Sequence, residues 1–158
     1  MSYPELLTDL KHIHQSEVYG SNVFKMAGRL SFDKKKKAKW ALLDELELQT
    51  LDRFLNYMQD NNRSYHYPYF WALKGHLEGL VLGLLPWSTA MRLLAHGTES
   101  FTVIWLRLKT NANETDQKFF SYIYAHEKAI EAFAKHELEQ NQDSVKVIMS
   151  LLDKHVKE

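Results

Sequence analysis

Three glutamates stand in the middle of otherwise apolar helical stripes, and they are the residues whose type and spacing could do chemistry. The first stripe is Leu10, Ile13, Glu17, Ser21, Phe24 and Gly28. The second is Trp40, Leu43, Glu47, Leu51, Phe54 and Met58. The third is Phe120, Ile123, Glu127, Ile130, Ala134 and Leu138. Steps of three and four keep each set on one face of a helix. In all three, an aliphatic side chain (Ile13, Leu43 or Ile123) sits four positions before the glutamate. A carboxylate on such a face must be protonated, paired or bound to a cation, because an isolated buried charge costs on the order of several kcal/mol. Carboxylates on three separate helices could converge at one level, and oxygen donors suit hard cations, iron and manganese.

Further donors lie near these glutamates. His14 precedes Glu17 by about one turn. Glu99, with His96 three positions before it, lies beside a fourth stripe of Met91, Leu94, Thr98, Phe101 and Trp105. His126 adjoins Glu127, but successive helical residues point about 100° apart, so these two do not readily face one centre. The candidate metal ligands are therefore Glu17, Glu47, Glu127, His14 and Glu99.

The elements that would hold these residues are helical throughout. Ser2, Pro4 and Glu5 read as a helix start, with Ser2 as cap and Glu5 at the capping-box position, and helical spacing then runs to about Gly28. Ser31 or Asp33 caps a second helix from about Lys34 to Met58, and 60–64 is a loop. The aromatic run from Tyr65 to Trp71 leads into a third helix that Pro86 kinks, with Ser88 capping its continuation to about Lys109. Thr110 to Asn113 breaks the pattern. A fourth long helix, with Glu114 and Asp116 in its first turn, runs to about Gln140, and Asn141 or Asp143 starts a short last helix ending near Lys154 and Lys157. No segment alternates with period two, so the expected class is all-α.

Composition narrows the function classes. The 158 residues, 45% hydrophobic and 25% charged, suit a single domain spanning residues 1–158 with a real core. Twenty basic residues balance twenty acidic ones, which gives no general pull toward nucleic acid. There is no cysteine, which excludes disulfides, thiolate metal sites and a cysteine nucleophile. The segment from Met1 to Glu5 is polar and reads as no signal peptide, so the cytoplasm is the expected location.

The pattern resembles the ferritin-like superfamily, nearer its rubrerythrin-like members. The likeness rests on Glu17, on the segment from Trp40 through Glu47 to Thr50, and on Ala125-His126-Glu127-Lys128-Ala129-Ile130-Glu131. It implies a ferritin-like four-helix bundle with a kinked third helix and a short C-terminal helix. It also implies two iron or manganese ions held by carboxylates, and an oxidoreductase acting on oxygen or peroxide. That family places a Glu-x-x-His pair on two of its helices. Here the positions three after Glu47 and Glu127 are Thr50 and Ile130. The other reading is accordingly a bundle without metal that serves as a dimerisation or partner-binding module.

Two features bear on partners. Gly75, Gly79 and Gly83 form a row of small residues along which one helix can approach another backbone closely. The run from Gly79 to Met91 carries no charge. It reads first as a buried kinked helix; a dimer face, or a hairpin lying on a membrane, are the alternatives. A homodimer is expected. The aromatic run from Tyr65 reads as packing of a helix entrance, with a ligand pocket as the less common outcome.

Overall fold

The computed structural model describes residues 3–153, without the side chains of residues 3, 4, 99, 100 and 153. The expected Ser2 cap and the terminal cations Lys154 and Lys157 lie outside the described residues, as does the Glu99 side chain. Among the described residues the only regular elements are six helices: α1 (Tyr3–Leu30), α2 (Lys34–Asp60), α3 (Tyr69–Leu84), α4 (Trp87–Asn111), α5 (Gln117–Leu138) and α6 (Ser144–Asp153). They divide into two compact units, 1–85 and 86–158.

In the first unit α1 is the central element and packs against both α2 and α3. A three-residue connection forces α1 and α2 into an antiparallel hairpin. Asp33 caps α2, its carboxylate accepting from the backbone N–H of Lys35 at 2.8 Å and of Lys36 at 3.2 Å. That anion offsets the four lysines crowded at the positive end of the helix. At the other end Asn62 adopts φ 51°. Its N–H bonds to the Gln59 carbonyl and that of Arg63 to Met58, the paired bonds of a Schellman ending. The core is built by Leu10, Ile13, Phe24, Trp40, Leu43 and Phe54, with the Phe24 and Trp40 rings stacked at 5.9 Å.

The glycine row sets the approach of α3 to α1. A methyl group on Gly75 would stand 2.5 Å from the Tyr19 carbonyl oxygen, and one on Gly83 would stand 2.8 Å from that of Ala27. Both are inside van der Waals contact, so only glycine lets the two backbones meet at this separation.

In the second unit α5 takes the central role and packs against α4 and α6. Met91, Trp105, Leu108, Phe120, Ile123, Phe133 and Ile148 are buried there. Glu137 accepts from the Trp87 indole at 2.8 Å and from the Ser144 hydroxyl. The α5 end repeats the Schellman pattern, with Gln140 at φ 55°, Gln140 N–H on Glu137 and Asn141 N–H on His136.

Several expectations change. The third helix does not continue through a kink: Leu85 is extended (ψ 153°) and α3 ends at Leu84, because the residue before a proline is pushed out of the helical region. Pro86, not Ser88, is the residue that caps α4. The aromatic run does lead into the third helix as expected: residues 63–68 are not helical, and α3 starts at Tyr69 with Pro68 before it. Leu51 is half-buried and Leu138 exposed, so two of the stripes fade at these points.

Candidate metal centre

The first unit brings two of the expected ligands together. Glu17 comes from the middle of α1 and Glu47 from the middle of α2, and both are buried, Glu17 to 1% exposure. One carboxylate oxygen of each lies within 4.8 Å of the other. The hairpin produces this meeting: the two stripes face one another, with Ile13 and Leu43 one turn before each glutamate and Phe24 and Phe54 beyond. Gly20, one turn after Glu17, makes the room. A side-chain carbon there would stand 2.7 Å from the Glu47 carboxyl carbon. A neighbouring bond, Ser21 hydroxyl to Asp44 carboxylate at 2.9 Å, ties the same turns of α1 and α2. Two carboxylates this close in a core repel unless a cation, a proton or hydrogen-bond donors offset their charge.

Thr50 occupies the position three after Glu47. It is fully buried, and its hydroxyl donates to the Leu46 carbonyl at 2.9 Å. That group is committed to its own helix and is a poor metal donor. His14 is buried one turn before Glu17, with its ring stacked on Phe54 at 5.2 Å and meeting the edge of Tyr65 at 5.3 Å. Burial holds its pKa below the usual histidine value, so the ring is neutral and its nitrogens remain available as donors.

The second unit contributes an adjacent pair on α5. Glu127 is buried, and burial drives its pKa up to about 7. The Trp105 indole N–H forms no full hydrogen bond but lies near enough to draw it partly back, while the neighbouring Glu131 carboxylate adds to the rise. Glu131 itself is held below the ordinary range by Lys128 and Lys135, which both pair with it. His126 is 0% exposed, and burial pushes its pKa down to about 3. It is a neutral imidazole at any ordinary pH, the form that binds metal.

His126 is the buried histidine that the stripe pattern passed over. The signal was present one position away: Tyr122, His126, Ala129 and Phe133 form a second buried stripe with steps of four, three and four. The α5 helix is buried on two adjoining faces, so neighbouring residues 126 and 127 are both withdrawn from water. The remaining histidines with described side chains behave differently: His12, His66 and His96 are exposed, His136 is half-buried in the last turn of α5, and His76, also half-buried, has a ring nitrogen 3.0 Å from the Ala72 carbonyl oxygen. Among the described residues no helix is long and apolar enough to cross a membrane. No protein-family model, curated protein or solved structure matches the chain.

Proposed function

We propose that this is a cytoplasmic, ferritin-like four-helix-bundle protein that binds iron or manganese through buried carboxylates. A pair of ions so held would supply redox chemistry on oxygen or peroxide. The observation that carries the reading is the Glu17–Glu47 pair, two buried carboxylates within 4.8 Å of each other with a glycine left opposite to make room. His14, one turn before Glu17 and neutral, is the nearest further donor, and Glu127 and Glu99 are the remaining candidates of the sequence pattern. Mixed oxygen and imidazole donors suit iron and manganese better than magnesium or calcium.

A second reading is favoured by Thr50 and Ile130, which stand where the family pattern has its histidines, the first with its hydroxyl turned back on its own helix. In that reading the chain is a helical module without metal, its buried carboxyls protonated or hydrogen-bonded, and it acts through a partner surface.

One experiment separates the two. Protein purified without added metal or a histidine tag is analysed for bound elements, as wild type, Glu47→Gln and Gly20→Ala. The metal reading expects about two equivalents of iron or manganese in the wild type and almost none in Glu47→Gln. Gly20→Ala keeps the fold and displaces the flexible end of Glu47, so it should bind about tenfold more weakly. Metal-free wild type that takes up neither ion, with Glu47→Gln more stable, would establish the module instead.

A further inference from the structure

The outer face of α3 is an apolar surface of the first unit that the packing of its core does not use. Tyr69, Phe70, Leu73, Leu77, Val81 and Leu84 lie along it, each between 57% and 78% exposed. The glycines explain why this face is not spent inside the chain. Gly75 and Gly79 lie against α1, and Leu77, two residues from either, points about 200° around the helix from them. The small side is therefore used for packing, and the large apolar side is turned outward. Two aromatic side chains of about 200 Å² and four smaller aliphatic ones of roughly 150 Å², two-thirds exposed, present on the order of 650 Å². That approaches what one partner gives to a stable interface and lies at the top of the range of apolar patches on monomers.

Charge selects the occupant. The only charged residues of α3 are Lys74 and Glu78, which pair with each other at 2.7 Å. Lys74 also lies over the Tyr19 ring at 4.6 Å, and Glu78 accepts from the Tyr19 hydroxyl. Both are thus engaged with each other and with α1. Without basic residues on the outer face, anionic lipid gains no electrostatic hold. A second copy meets no such requirement: the whole chain has zero formal charge, so two copies do not repel. A helix face can also complement itself across a two-fold axis.

We infer that the outer face of α3 is a self-association surface, on which two copies pair α3 against α3 in antiparallel fashion with the axis near Leu77. The helix runs from Tyr69 to Leu84, so Leu77 sits at its midpoint. A two-fold axis there places each Leu77 beside its mate, and the aromatic end of one helix beside the Leu84 end of the other. This inference does not depend on bound metal.

The test uses the full chain in chelator, so that failure of the metal reading leaves it untouched. Sedimentation equilibrium over a hundredfold concentration range should show a monomer–dimer equilibrium. Leu77→Glu, an exposed substitution, should weaken it at least tenfold with helical circular dichroism unchanged. Leu77→Cys supplies the chain's only thiol and should oxidise to a covalent dimer, because the two thiols then face each other across the axis. A wild type that stays monomeric throughout overturns the proposal. So does a dimer that Leu77→Glu leaves intact and Leu77→Cys does not link. Binding of a monomeric chain to neutral phosphatidylcholine vesicles, lost in Leu77→Glu, would overturn it too and assign the face to a lipid surface.

Discussion

Neighbouring residues His126 and Glu127 are both buried, yet burial moves their proton affinities in opposite directions. Glu127 is raised from 4.5 to about 7 and His126 lowered from 6.5 to about 3. A raised carboxyl pKa means the folded state binds more protons between pH 4.5 and 7, so stability falls as pH rises through that window. A lowered histidine pKa means the folded state binds fewer between pH 3 and 6.5, so stability rises with pH there. From pH 4.5 to 6.5 the two slopes cancel. The metal-free wild type should therefore gain stability from pH 3 to 4.5, stay level to 6.5, and lose some above it. Over its full window Glu127 alone corresponds to about 3 kcal/mol and His126 alone to about 5 kcal/mol. Glu127→Gln should expose the His126 rise across pH 3–6.5, and His126→Gln the Glu127 fall across pH 4.5–7, in denaturant melts at stepped pH. Parallel profiles for both variants and the wild type would show that neither shift is present. Glu127 was legible in the sequence because a glutamate inside an apolar stripe stands out. His126 was not, because a single-stripe reading assigns one buried residue per turn, whereas α5 is covered on two sides.

At the scale of elements, the glycines separate packing from propensity. A methyl group on Gly79 would overlap the Val23 carbonyl oxygen, a backbone atom that cannot move aside without displacing α1. Gly97, in the exposed part of α4, has nothing within 4 Å of such a group. Gly79→Ala should thus destabilise by roughly 1–3 kcal/mol through overpacking. Gly97→Ala should stabilise by about 1 kcal/mol, because alanine is the better helix former and loses less entropy. Urea midpoints at unchanged slope measure both; a destabilising Gly97→Ala would mean that α4 packs there against something else. The sequence row of Gly75, Gly79 and Gly83 revealed that a close approach exists, and the structure supplies α1 as its object. The helix limits were legible to within a few residues wherever a cap had a chemical signature, as at Asp33 and before Asn62. They were misread at Ser88. There a proline sets the start of the helix through backbone restriction, and no side-chain cap bond forms at Pro86.

For the whole molecule, each of the two compact units buries its own apolar residues, and the close carboxylate pair, Glu17 and Glu47, belongs to the first. A ligand bound only by the folded chain stabilises the unit whose unfolding releases it. Iron or manganese held by Glu17 and Glu47 should therefore raise the melting of the first unit. At a hundredfold excess over the dissociation constant the gain is about 2.7 kcal/mol, which for a unit of residues 1–85 melting by itself is roughly 10–20 °C in melting temperature. Scanning calorimetry with manganese and with chelator, on wild type and Glu47→Gln, measures it. A rise that Glu47→Gln abolishes would assign the ion to this pair. No rise would remove the metal reading and leave the α3 face as the feature through which this chain acts.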